Sequence, residues 1–134
     1  MGFRFTHLCG DASGETVFVD VELEGSPAAP VSTIDASVNA VKLPTTSMIY
    51  TEYPEELNEL VPGLHATGAR HFVAPVRGSF ELTTSTGDTR VLGPGDWALI
   101  DDTGTKGHLT KGLGGEARVN LIIHLADEWM VPPS

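Results

Sequence analysis

The chain has 134 residues, 40% of them hydrophobic, with eight Lys plus Arg against eighteen Asp plus Glu, a formal net charge of −10. That length suits one domain around one core, and so acidic a surface repels phosphate backbones and anionic headgroups, which argues against nucleic-acid and membrane partners. No stretch reaches the ~20 apolar residues of a membrane-spanning helix, the opening MGFRFTHLCG lacks a secretory leader's apolar run and the lone Cys9 excludes an internal disulfide, so a cytoplasmic location is expected.

Fifteen Gly and nine Pro punctuate the chain, the profile of an all-β domain of short strands. Residues 1–45 are expected to form an N-terminal strand and arm of the same domain whose barrel spans residues 46–134. In the first segment, TVFVDVEL (16–23) alternates Val17, Val19 and Val21 against Phe18, Asp20 and Glu22 and reads as a strand. EGSPAAP ends it, and residues 31–43 read as an irregular arm with one extended stretch. SMIYTEY (47–53) is the next strand. Pro54 then opens PEELNELVPG, where proline in the first turn and early glutamates fit one short helical insertion or an acidic loop. Further strands follow at 71–76, 79–85, 90–92, 97–101, 108–111 and 118–125, separated by glycine-containing turns. Short strands with tight turns suggest a closed or nearly closed antiparallel barrel.

The run GPGDWALIDDTGTKGH (93–108), preceded by Gly87, has a Pro-Gly-Asp turn, a strand and then a histidine. In that order these residues resemble the second motif of the cupin superfamily. The first cupin motif, His-x-His, a spacer, Glu, a longer spacer and Gly, has an altered counterpart: Gly78 is in place, His71 stands where Glu is usual, His65 takes the first His position and Thr67 the second. The resemblance covers residues 63–125. It implies a cupin-type antiparallel β-barrel, a double-stranded β-helix or jelly roll, with its chemistry inside the barrel mouth. It also implies a divalent metal (Fe, Mn, Ni or Zn) held by His65, His71 and His108, because three imidazoles bind such an ion and leave positions open for substrate. Single cupins often pair by exchanging N-terminal segments, so a homodimer is expected, with residues 31–43 as the exchanged arm.

His71, His108 and His124 are the candidate catalytic groups, with His124 on the polar face of the last strand beside Arg118 and Asn120. Arg70, Phe72, Trp97 and Asn120 are the candidate substrate contacts. Arg70 offers a bidentate fork for a carboxylate or phenolate, whereas Phe72 and Trp97 fit a pocket wall or the core equally well. Asp101 and Asp102 are adjacent, so they should point to opposite faces rather than form a dyad; their expected partner is Lys106. Phosphate-cradling, dinucleotide and nucleophile-elbow motifs are missing, so no nucleotide cofactor is expected. Three functions follow: a metal-dependent small-molecule enzyme carrying out oxygenation, isomerisation, cyclisation or elimination; a metal-free acid/base enzyme; or a non-catalytic small-ligand-binding protein.

Overall fold

The computed structural model describes residues 2–26, 39–59 and 63–133. Among them run strands β1 (Gly2–Gly10), β2 (Thr16–Glu24), β3 (Thr45–Tyr53), β4 (His71–Arg77), β5 (Ser79–Thr84), β6 (Thr89–Leu92), β7 (Ala98–Asp101), β8 (His108–Leu113) and β9 (Arg118–Leu125), with one 3-10 helix at Glu55–Glu59. The fold is all-β, and the short helical insertion falls where Pro54 and the glutamates predict it. Most of the 31–43 arm lies outside the described residues. No helix among those described is long and apolar enough to cross a membrane.

Six strands form one sheet in the order β2-β1-β7-β4-β9-β3, and three form a second in the order β6-β5-β8. The small sheet is antiparallel. The large sheet is mixed, which departs from the purely antiparallel expectation: β1 runs parallel to β7, pairing Thr6 with Ala98 and Leu8 with Ile100. This makes Gly2–Gly10 a strand paired with β2 along its whole length and with β7 over Thr6–Cys9, rather than a terminal arm. Phe5 and Leu8 are buried on its opposite faces.

Strand alternation explains the two cores. Leu8, Val73, Ala98 and Ile100 of the large sheet meet Phe80, Leu82 and Leu92 of the small one, as in a β-sandwich. On the far face of the large sheet, Phe5, Phe72, Leu99 and Leu125 pack with Phe3, Trp97, Trp129 and Val131. The Phe5 and Phe72 rings meet edge-on at 5.0 Å, a contact worth about 0.5–1.5 kcal/mol beyond its burial. Burial on both faces is why β4 and β7 read as continuous apolar runs. It also assigns odd and even residues of β4 to different environments, with His71 and Val73 turned inward and Phe72 outward.

Candidate functional site

A cavity of about 580 Å³ opens between the two sheets, within the ~300–1,000 Å³ of small-molecule sites. Its floor is apolar, made by Val73, Phe80, Leu82, Ile100 and Ile122, and its polar groups include His65, His71, His108, Arg118, Asn120 and Tyr53. His65 comes from the loop before β4 and is bridged to the start of β8: its backbone N–H donates to His108 O at 3.1 Å, and His108 N–H returns to His65 O at 2.9 Å. The two rings lie 4.8 Å apart. His71 opens β4 directly opposite His124 of β9.

The buried electrostatic centre is Asp102, which is 0% exposed. One carboxylate oxygen lies 2.6 Å from His108 Nδ1, and the other accepts the Thr67 backbone N–H at 2.9 Å. Burial alone would raise the Asp102 carboxyl, but His108, the Thr67 amide and its own backbone amide together hold it below the usual carboxylate range. Thr67 thus serves the site through its amide rather than as a ligand. Its carbonyl accepts from Thr103 Oγ1 at 2.9 Å, which ties the two loops together.

The same chemistry recurs at the other imidazoles. His71 Nδ1 lies 2.9 Å from Ala69 O, and His65 Nδ1 lies 3.1 Å from Gly63 O. A carbonyl or carboxylate oxygen can only accept, so in the neutral ring each Nδ1 carries the proton and each Nε2 keeps its lone pair. No hydrogen bond to those Nε2 atoms is made among the described residues. Three reactive nitrogens of the same tautomer therefore belong to one cavity. No group of three or more His, Cys, Asp or Glu side chains among the described residues is arranged to hold a metal ion.

Burial pushes the His71 imidazole below its ordinary value; the Ala69 carbonyl works against this, and His124 and His108 reinforce it. The folded protein thus binds a proton at His71 less readily than the unfolded chain does. The stability this gives is present above the unfolded value of about 6.5 and is lost as pH falls from there through the lower folded value. A ring-proton NMR titration should place the His71 midpoint below that of a free histidine; a midpoint at or above 6.5 contradicts the burial argument.

The remaining candidates are divided by strand geometry. Asn120 lines the cavity with Arg118, because the inward face of β9 carries both. His124 shares that face but lies beside the rim, its ring 5.6 Å from His71 and its Nδ1 3.0 Å from Ser47 Oγ. Phe72 and Trp97 are not brought to the histidine cavity: alternation turns Phe72 away from His71, and both rings join the outer aromatic cluster. Arg70 is also drawn elsewhere, donating to Ala126 O at 3.0 Å and Asp127 O at 3.2 Å, so it clamps the C-terminal tail. Asp101 and Asp102 do serve different neighbours, Asp101 taking His7 at 2.9 Å. Lys106 pairs with Glu15 rather than with either aspartate. A separate depression beside β1 and β2 contains Arg4, Asp20, Glu22 and Arg90, but its charges are paired internally.

Sequence reasoning missed Asp102 as the partner of His108, and it missed Arg118, Asn58 and Tyr53 as a unit. Arg118 Nε donates to Asn58 Oδ1 at 2.8 Å, and its guanidinium sits 4.7 Å from the Tyr53 ring centre.

No protein-family model matches the chain, and no curated protein matches it. Among solved structures, protein NMB1881 from Neisseria meningitidis is similar at a TM-score of 0.43 and 10% identity, covering 68% of this chain and 91% of that one. A likeness that loose carries no argument about function.

Proposed function

We propose that the chain is a small-molecule enzyme of the cupin type, its two sheets forming a jelly-roll barrel around the histidine cavity. The observation that carries this reading is the buried Asp102–His108 couple at the wall of an apolar cavity. A carboxylate on Nδ1 orients the ring, fixes the Nε2 lone pair and stabilises the imidazolium formed when Nε2 takes a proton. His108 is then the general base. His71, kept neutral by burial, is the second proton-handling group, with His124 beside it. Proton removal of this kind is one way to start an isomerisation, a cyclisation or an elimination. The test is deuterium uptake in D₂O from a panel of enolisable ketones and keto acids, followed by NMR. Exchange that disappears in His108→Ala supports the reading; no exchange across the panel above the buffer rate sinks it, and saturable binding without exchange makes the protein a ligand-binding module.

A second reading is favoured by the shared tautomer of His65, His71 and His108. Imidazoles whose Nδ1–H is held by an oxygen acceptor suit coordination through Nε2, so the donor type suits Fe(II), Mn(II), Ni(II) or Zn(II), although the three rings would have to draw closer together to share an ion. Such an ion would polarise a substrate oxygen. Metal analysis of untagged protein, followed by titration with Fe(II) and Mn(II), decides it; no bound metal and no affinity would end this reading. A homodimer belongs to the proposal as well, supported by Met48, Ile49 and Tyr50 exposed on the edge strand β3. Light scattering at the monomer mass would remove it.

A further inference from the structure

Arg118 is a buried cation, 6% exposed, in a chain with a net charge of −10. Among the described residues no carboxylate pairs with it, and its only hydrogen bond uses Nε, leaving both terminal Nη groups without a partner. Burial draws its guanidinium below the ordinary value, with Tyr53 opposing. The terminal groups of Arg118 border the cavity, where an anion entering from outside can supply the counter-charge that the described residues do not.

The surroundings hold this residue in place rather than merely tolerating it. Asn58, itself buried, accepts from Nε and is fixed by donating to Gly114 O at 3.2 Å and Glu116 O at 2.9 Å. The Tyr53 ring covers one guanidinium face. Two glycines clear the space: a Cβ on Gly78 would lie 2.8 Å from Arg118 Cγ, and one on Gly112 would lie 2.6 Å from Arg118 Nε. Beside it, Asn120 is 5% exposed, and its Oδ1 is a buried acceptor without a hydrogen-bond partner, a rare state in folded proteins. Arg118 and Asn120 are two apart on β9 and line the same cavity.

We propose that the cavity binds a small organic carboxylate, gripped end-on by the two Nη groups of Arg118, whose hydroxyl or amino donor is accepted by Asn120 Oδ1. This rests on the reading of the cavity as the working site and names its substrate class. A guanidinium edge matches a carboxylate with two parallel hydrogen bonds. Among the described residues Arg118 is the one Lys or Arg side chain on the cavity lining, which favours a monoanion over a phosphate dianion. The apolar floor takes the rest of the ligand.

The test uses the full ¹⁵N-labelled chain and matched acid/amide pairs: phenylacetate with phenylacetamide, mandelate with mandelamide, and hexanoate with hexanamide, alongside inorganic phosphate. At least one acid should bind about tenfold or more tighter than its amide, equivalent to ~1.4 kcal/mol, and should shift the Arg118 Nε–Hε resonance. Mandelate should exceed phenylacetate, through its hydroxyl. In Arg118→Gln the acid and amide should bind within about threefold of each other; because the comparison also runs on the unaltered protein, a variant that fails to fold does not remove the test. Amides that bind the cavity as tightly as acids overturn the carboxylate anchor while leaving the cavity as the site. Phosphate binding more tightly than every acid overturns the ligand class. If none of the probes shifts any cavity resonance, both the anchor and the site reading fall.

Discussion

Asp102→Asn should leave the fold standing and move the proton on His108 from Nδ1 to Nε2. The Thr67 backbone N–H is an obligate donor, so the new side chain must keep its oxygen towards Thr67 and turn its NH₂ towards His108. An NH₂ facing Nδ1 forces Nδ1 to accept, and the neutral ring then carries its proton on Nε2. Proton abstraction by Nε2 is thereby blocked, with an expected loss of about 10²–10⁴ in any His108-dependent turnover; metal coordination through Nε2 is blocked by the same change. Long-range ¹H–¹⁵N spectra of the imidazoles read the tautomer directly, and an unaltered His108 pattern would refute the assignment. Asp102→Ala goes further. It leaves the His108 Nδ1–H and the Thr67 N–H buried without acceptors, which should cost about 3–5 kcal/mol in a denaturant titration at neutral pH. The charge-dependent part of the Asp102 contribution is present above the unfolded carboxyl value of about 3.9 and is lost as pH falls through the lower folded value, so the stability gap between wild type and Asp102→Ala should narrow only in strong acid.

Gly107→Ala is expected to have the next largest effect. Gly107 has φ +85, where an L side chain costs about 1–2 kcal/mol. A Cβ there would also lie 2.5 Å from His65 O and 2.7 Å from Ala66 N. Both are backbone atoms that no rotamer change can clear, so the 65–66 segment must lift off β8. The two hydrogen bonds between His65 and His108 weaken with it, at about 1 kcal/mol each, for a total near 3–4 kcal/mol. Gly104→Ala is the control, since Gly104 has φ +79 and open space around its Cβ position. It should cost only the conformational part. Equal losses in the two variants would show that the His65 contact does not constrain Gly107.

Eight of the nine strands were readable from local patterning and turn residues: TVFVDVEL, SFELTTS and RVNLIIHL carry period-two alternation, whereas β4 and β7 read as short apolar runs between turns. The strand β1 was not. GFRFTHLCG mixes polar and apolar groups on both faces, and its pairing with β7 depends on residues far along the chain. Of the cavity histidines, His108 was legible through the turn-strand-histidine order, and His65 and His71 through the altered first motif that ends on Gly78. Their partners were not: Asp102 reads as a turn aspartate, and nothing local to Arg118 announces Asn58, a contact across 60 residues. Phe72 and Trp97 show the opposite limit, since apolar character alone does not say which face of a doubly covered sheet a ring will occupy.

The parallel pairing of β1 with β7 also has a consequence in time. During synthesis β1 emerges ahead of the other eight described strands and can close its hairpin with β2 once that strand follows, but Ala98, the partner of Thr6, comes on the order of 5–20 s later at ~5–20 residues per second. Through that interval the second edge of β1 stays open. The wait falls on the very strand whose His7 holds Asp101, next to the aspartate that orients His108. On refolding from denaturant the same long-range closure should place folding in the slow, millisecond-to-second class of β proteins, with the histidine cavity among the last features to assemble.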